Sequence, residues 1–456
     1  MAKQDNLLMK HNSAWNSFKN KEEIFKFTES YKKFLSESKT ERACIQNILT
    51  TLKKQNFKEF HLIKNLKKGD KFYKLIKEKV IIAGIVGEEL DSLNIIGSHT
   101  DSPRLDLKPN PVYEDSELAL LQTHYYGGIK KYHWVNLPLS LQGIVYTKKE
   151  KIILSIGEKE DEPKFIISDL LPHLARDQME KVGRKVVEAE QLRILFGNIP
   201  INEKATKNQI KLNVLKILKE QYQVSEEDFR FAEFSFVPSL KPTDIGLDRS
   251  LIGAYGQDDK VCVFTSLMAL LKTKQTKNTA ITFFVDKEEI GSAGDVGADS
   301  FILQNFAQEY IEKTNLKIGT GKLFENSRSI SADVTAAMDP IYKEVHDKDN
   351  ASHLGRGVSI EKYGGSGGKY SSNDASAEYM NFIRKILVQN KIPHQIGELG
   401  KIDIGGGGTI AMFMSKYGMD CVDVGPCVMG MHSPCEVTSK VDIYCAYLLY
   451  KAFFEN

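Results

Sequence analysis

Cysteine and tryptophan are scarce in this chain, with six and two residues respectively in 456. Cys44, Cys262, Cys421, Cys427, Cys435 and Cys445 contain no Cys-x-x-Cys pair and no dense framework, which excludes a disulfide-stapled scaffold and a cysteine-built zinc module. Free thiols in a reducing compartment are the economical reading. Net charge is also nearly absent: 62 Lys and Arg stand against 60 Asp and Glu, a formal +2. No global field therefore draws the chain to nucleic acid or to a membrane surface. No apolar run approaches the roughly 20 residues needed to cross a bilayer; the best candidate, Val261 to Leu271, is short and interrupted. The segment from Met1 through Asn20 is polar and lacks the apolar core and small-residue cleavage site of a secretory signal. A cytoplasmic location is expected, without membrane or nucleic-acid partners.

The length exceeds what one hydrophobic core normally serves, so two domains are expected. From Lys21 to about Phe60, Ile24, Phe25, Phe27, Tyr31 and Phe34 recur at roughly helical spacing. Short apolar runs bounded by turn residues follow, Val80 to Val86 and Leu93 to Gly97, and the second delivers the chain onto Ser98-His99-Thr100-Asp101. Between about Leu107 and Leu240 the texture changes to short alternating segments separated by charged turns, with a polar stretch near Asn202 to Asn208. This reads as an inserted, β-rich second domain. Beyond it, a helical pattern from Asp259 to Lys272 alternates with strand-like runs at Ala280 to Val285, Ile330 to Ala332 and Cys421 to Val424. The expected architecture is an α/β sandwich built from residues 1–106 and 241–456, interrupted by an insert of residues 107–240.

Four predicted strand ends finish on metal-capable side chains: His99 with Asp101, Asp258 with Asp259, Glu288 with Glu289, and Asp333. His432 follows the strand-like Cys421 to Val424 after a glycine and proline turn. Residues at the carboxyl ends of strands converge on one crevice in open α/β folds. Each word alone is weak, since His-x-Asp arises by chance and paired acids usually mark a solvated face. Together they supply imidazole nitrogen and carboxylate oxygen, a donor set that suits zinc or a similar divalent ion. Adjacent carboxylates at the mouth of the apolar run Phe283-Phe284-Val285 are costly unless cations neutralise them.

The ordered set Gly97-Ser98-His99-Thr100-Asp101-Ser102-Pro103-Arg104, Ala254-Tyr255-Gly256-Gln257-Asp258-Asp259, Asp286-Lys287-Glu288-Glu289-Ile290-Gly291-Ser292, Ile330-Ser331-Ala332-Asp333 and Met431-His432-Ser433 spans almost the whole chain. It resembles the aspartyl aminopeptidase and vacuolar aminopeptidase I family of dinuclear zinc exopeptidases. The resemblance implies a three-layer α/β/α catalytic domain with an inserted β-rich oligomerisation domain. The activity it implies is removal of residues from the free N-terminus of peptides. It further implies two divalent ions per subunit, zinc with manganese or cobalt as alternatives, and a homo-oligomer, for which relatives offer the dodecamer. Carried over, Asp258 bridges the two metals, His99 and Asp333 complete one site, and Glu289 and His432 the other. Asp101 orients His99, and Glu288 is the general base that takes a proton from the attacking water.

His173, in Leu171-Pro172-His173, is a ligand, an inter-subunit group or a structural histidine in this reading. His133 sits one residue out of register with a histidine that, in relatives, reaches a neighbouring active site. Gly364 to Gly368 and Gly405 to Gly408 lack the Gly-Lys-Ser/Thr ending of a phosphate loop, so Gly407 and Thr409 are assigned to turns lining the peptide site. Gly357-Val358-Ser359-Ile360 is followed by Glu361 and then Lys362, where acid-preferring relatives carry a lysine. Glu361 in that pocket implies a preference for neutral or basic N-terminal residues over acidic ones; Lys362 there implies the reverse. Two other functions share parts of the pattern: a related two-metal amidohydrolase or carboxypeptidase, and a non-catalytic self-assembling protein.

Overall fold

The structure, a computed structural model, describes residues 12–202 and 207–456. The polar stretch read between Asn202 and Asn208 lies partly outside the described residues. The chain forms two compact units: Met1–Asp101 with Pro242–Met431 and Glu436–Asn456, and Ser102–Lys241 with His432–Cys435.

The first unit is built on a nine-stranded sheet. Its middle four strands, Asn278–Val285, Glu89–His99, Arg328–Ser331 and Asp420–Gly425, are mutually parallel neighbours in that order. Every residue of Asn278–Val285 is buried, as expected of a parallel strand covered on both faces. Successive side chains feed opposite cores. Ala280, Phe284, Ile96, Ile330 and Val422 join one with the helices Glu22–Ser36, Gln257–Lys272, Ala377–Gln389 and Lys440–Phe454. Ile281, Phe283, Val285, Leu93 and Ile95 join the other with Ile302–Thr314 and Ala411–Ser415. Helices thus cover both faces, giving the expected three layers.

The helices follow from their spacing and caps. Ile24, Thr28, Tyr31, Phe34 and Leu35 place one buried stripe on Glu22–Ser36. The next helix, Glu41–Lys54, starts where Thr40 accepts a hydrogen bond from the Ala43 N–H at 3.3 Å. A five-stranded sheet also belongs to this unit, and in it Leu251–Ala254 runs antiparallel to Glu436–Ser439 with Ala254 opposite Glu436.

The second unit is a seven-stranded antiparallel sheet, in the order Lys151–Ile156, Leu139–Tyr146, Ala232–Pro238, Arg104–Asp115, Leu118–Tyr126, Arg193–Gly197, Ile166–Ile167. The helix Gln209–Tyr222 packs Ile210 and Val214 against Ala119 and Phe196 of that sheet. None of the six cysteines forms a disulfide, and five are buried. No helix among the described residues is long and apolar enough to cross a membrane.

Phe284 has no exposed surface in a central strand, and Phe284→Ala is expected to cost about 3–5 kcal/mol of stability. Leu62→Ala, at a side chain 70% exposed, should stay within about 0.5 kcal/mol. Urea unfolding midpoints of the two variants check this, and equal shifts would contradict the assigned core.

Candidate metal centre

His99 ends the Glu89–His99 strand, and only 1% of its side chain is exposed. Its Nδ1 lies 3.1 Å from Asp101 Oδ1, while Nε2 lies 3.1 Å from Asp258 Oδ1 and 3.8 Å from both Glu288 Oε2 and Asp333 Oδ1. Asp101 does more than hold the ring. Its Oδ1 and Oδ2 also accept the backbone N–H groups of Glu288 and Glu289, each at 3.2 Å. One buried carboxylate therefore fixes the imidazole and the acidic turn together.

Strand register brings these groups to one level. Val285 pairs with His99, so the turn after it, Glu288–Ile290, starts three residues beyond the imidazole. That turn is flanked by left-handed residues, Lys287 at φ 67° and Gly291 at φ 96°, the second a conformation glycine adopts without strain. On the other side Ser331 pairs with Gly97, which sets Asp333 level with His99. Asp333 is approached closely by Gly425, where a Cβ would come within 2.0 Å of the Asp333 carbonyl oxygen. Only glycine fits there.

Asp258 and Asp259 depart from the expected strand end. They lie at the head of the helix Gln257–Lys272, with φ/ψ of −78°/109° and −114°/24° instead of helical values. The strand before them, Leu251–Ala254, belongs to the five-stranded sheet, and left-handed Gly256 redirects the chain from it. His99, Asp101, Glu288, Glu289 and Asp333 come from strand ends of the nine-stranded sheet and the turns after them, and this pair from a helix start.

The electrostatics require a counter-charge. Burial pushes the Asp259 carboxyl well above its usual range, an effect that neighbouring Asp258 adds to and His99 opposes. Asp333 is pushed well up as well, by burial first and then by the charge of Asp259. For His99, burial favours the neutral ring. The hydrogen bonds to Asp101 and Asp258 and the charges of Glu288 and Asp333 outweigh it, and the imidazole is held well above its usual pKa. Several carboxylates thus share one imidazolium, an arrangement that a divalent cation stabilises far better than a proton. Two groups have ligand atoms within 4.8 Å of one another: His99, Asp258 and Glu289, and His99, Asp259 and Asp333. Nitrogen and carboxylate oxygen without thiolate fit zinc.

The remaining sequence candidates fall in three places. His432 has a left-handed backbone (φ 63°), and its Nδ1 donates to the Gly128 carbonyl at 2.8 Å. It groups with the second unit, as do His173, exposed on the Pro172–Leu174 turn, and His133, on the Lys131–His133 turn. Burial and then Lys130 lower the pKa of His133. Glu361 and Gly407 line a pocket with Tyr363, Glu398 and Lys401, and Lys362 is not among its lining residues. Glu361 is 8% exposed, and its carboxyl accepts the Thr335 hydroxyl and is pushed up to about 8 by burial, so at neutral pH it is mostly protonated. Lys362 lies 3.7 Å from Asp374. The Thr409 hydroxyl donates to Asp423 at 2.6 Å.

Two residues were left without a role in the sequence. Asp259 was visible only as the neighbour of Asp258; its Oδ2 accepts the His99 backbone N–H at 3.2 Å. Glu436, whose carboxylate accepts the Asp258 N–H at 3.1 Å, is an ordinary strand residue in sequence, and its spacing from Asp258 carries no signal.

The family described as Aminopeptidase I zinc metalloprotease (M18) matches residues 34–454. A probable M18 family aminopeptidase 1 of Borreliella afzelii (strain PKo) is 47% identical, over 98% of this chain and all of that protein. The crystal structure of an M18 family aminopeptidase from Thermotoga maritima superposes with a TM-score of 0.95 at 41% identity, covering 98% of this chain and all of the other. A structure of the Saccharomyces cerevisiae mApe1 dodecamer, 20% identical, shares the fold with a TM-score of 0.76 over 94% of this chain and 96% of that one. With nearly its whole length matched in sequence and in structure, the chain belongs to the M18 family and is a zinc metalloaminopeptidase, a hydrolase.

Proposed function

We propose that the enzyme removes N-terminal residues from peptides with two zinc ions per chain, held by His99, Asp258, Glu289 and Asp333, and with Glu288 as general base. The observation that carries this reading is the convergence on His99 Nε2 of Asp258 at 3.1 Å and of Glu288 and Asp333 at 3.8 Å. When bound, zinc polarises the scissile carbonyl and acidifies water. Glu288, with 16% of its side chain exposed and its N–H anchored on Asp101, is positioned to take the proton of the attacking water and return it to the leaving amine. Asp101 holds the His99 tautomer and the base in a single arrangement. The ligand role of His432 rests in this reading on the family word Met431-His432-Ser433 alone.

The pocket of Glu361, Tyr363, Glu398 and Gly407 is assigned to the side chain of the departing residue. Thr335, two residues beyond Asp333, ties Glu361 to the strand end that carries the metal-capable carboxylate. The lining holds two carboxyls, Glu361 and Glu398, the second accepting the Tyr363 hydroxyl at 2.9 Å, beside Lys369 and Lys401, and the preference for a neutral or basic residue over an acidic one is carried by Glu361 once it is charged.

Self-association is assigned to the second unit, and the chain to the cytoplasm as a homo-oligomer. Ile153, Leu174 and Met179 of that unit are 69–74% exposed, apolar side chains that a second copy would cover.

Four outcomes test this reading. Purified enzyme should contain two zinc ions per chain and lose activity to chelation. Glu288→Gln should lower kcat about 10²–10⁴-fold with metal content unchanged, and loss of zinc in that variant would remove Glu288 from the base role. Comparing kcat/KM for Leu-, Lys- and Asp-peptides should show the Asp-peptide as the poorest. The discrimination should widen as pH rises through about 8, where Glu361, its pKa raised by burial, changes from neutral to charged. A pH-independent ratio would exclude Glu361 from the pocket chemistry. Light scattering should give a mass several times that of one chain, falling when Leu174 and Met179 are both changed to Asp; a monomeric wild type would end the assembly proposal.

A further inference from the structure

Glu436 belongs to none of the metal-capable groups, yet it is 1% exposed and touches the chain at the residue on which the centre turns. It opens the strand Glu436–Ser439, directly opposite Ala254. From Ala254 the chain passes through Tyr255 and left-handed Gly256 into Gln257, which is fully buried. The Gln257 amide nitrogen donates to the backbone carbonyls of Ile252 at 3.1 Å and Glu436 at 2.6 Å, and its oxygen accepts the Tyr31 hydroxyl at 3.4 Å. One residue on, the Asp258 N–H donates to Glu436 Oε2 at 3.1 Å. Glu436 thus grips successive residues, Gln257 with its backbone and Asp258 with its side chain.

The need for such a grip lies in the backbone at Asp258. Its φ/ψ of −78°/109° is not helical although the helix Gln257–Lys272 is already under way, so the N–H of Asp258 is not tied into the helical ladder as an interior residue would be. A buried N–H without a partner is costly, and here a carboxylate supplies a charge-assisted one. Holding that N–H fixes the peptide plane from which the Asp258 side chain is aimed at His99.

We propose that Glu436 is a positioning residue for zinc: by accepting the Asp258 N–H it pre-aims the Asp258 carboxylate, and so raises the affinity of the centre without ligating metal. This rests on the reading of Asp258 as a ligand. Partners of ligating residues that do not themselves touch the metal typically contribute 10–100-fold to its affinity, and that is the range expected here.

The hydrogen bond and the charge can be separated. Glu436→Gln keeps an acceptor of the same length and should bind zinc within about threefold of wild type, whereas Glu436→Asp, one methylene short, and Glu436→Ala should bind about 10–100-fold more weakly. Affinity is read by competition with a chromophoric chelator, and the melting temperature of the zinc-stripped protein serves as the readout of folding. A variant that melts with the wild type when stripped but holds zinc more weakly supports positioning. Should Glu436→Ala not fold, the Gln and Asp pair decides the matter alone. Equal affinity in all variants, or equal loss in Gln and Asp, would overturn the proposal. Asp258→Asn separates the two readings. If its zinc affinity matches wild type, the ligand assignment itself fails; if it collapses while the Glu436 variants are unchanged, only the role of Glu436 fails.

Discussion

The constraint on which this structure depends is the crowding of buried carboxylates around one imidazole. Two like charges about 4 Å apart repel by about 4 kcal/mol at an effective dielectric near 20. Asp258, Asp259 and Asp333 all face the surroundings of His99, and burial and mutual repulsion drive Asp259 and Asp333 well up. A fold does not assemble such a set for stability. Divalent cations reverse the sign of the problem, because each carboxylate then neutralises charge that is present instead of adding to charge that is not. The electrostatics of the first unit thus suit the zinc that the M18 family description names.

The architecture serves that constraint through register and close approach. Parallel pairing sets Val285 against His99 and Gly97 against Ser331, so residues far apart in the chain end at one height. Glycine at 425 admits the backbone of Asp333, and left-handed Lys287 and Gly291 turn the Glu288–Ile290 segment back toward Asp101. Asp101 then couples the imidazole to the backbone of Glu288 and Glu289 through three hydrogen bonds. The geometry is thus held by partners of the acidic groups as much as by the groups themselves.

Burial also changes what a carboxyl contributes to selectivity. Read as an exposed charge, Glu361 would repel an acidic substrate at any neutral pH. Packed beneath the Thr335 hydroxyl with Asp423 and Glu398 nearby, it is mostly neutral until the pH nears 8. In the proposed pocket, repulsion of an acidic side chain by Glu361 is therefore expected only in alkali.

The apolar runs determined by themselves which segments became central strands, because a strand buried on both faces must be apolar throughout. Val80 to Val86, Leu93 to Gly97 and Ala280 to Val285 are legible for that reason, and the α/β sandwich with them, its three layers being what the family resemblance implied. The short words around His99, Asp258, Glu288 and Asp333 were legible as well, since metal-capable side chains beside apolar runs stand out and together identify the family. Tertiary structure alone decided which atoms meet. Asp258 and Asp259 were expected at a strand end and lie at a helix start, because left-handed Gly256 redirects the chain there. Glu436 reaches the Asp258 N–H across 178 residues, and Thr335 reaches Glu361 across 26. Such contacts leave no periodicity to read: hydrophobic pattern encodes burial along one segment, whereas a hydrogen bond between segments exists only once sheet register has been set.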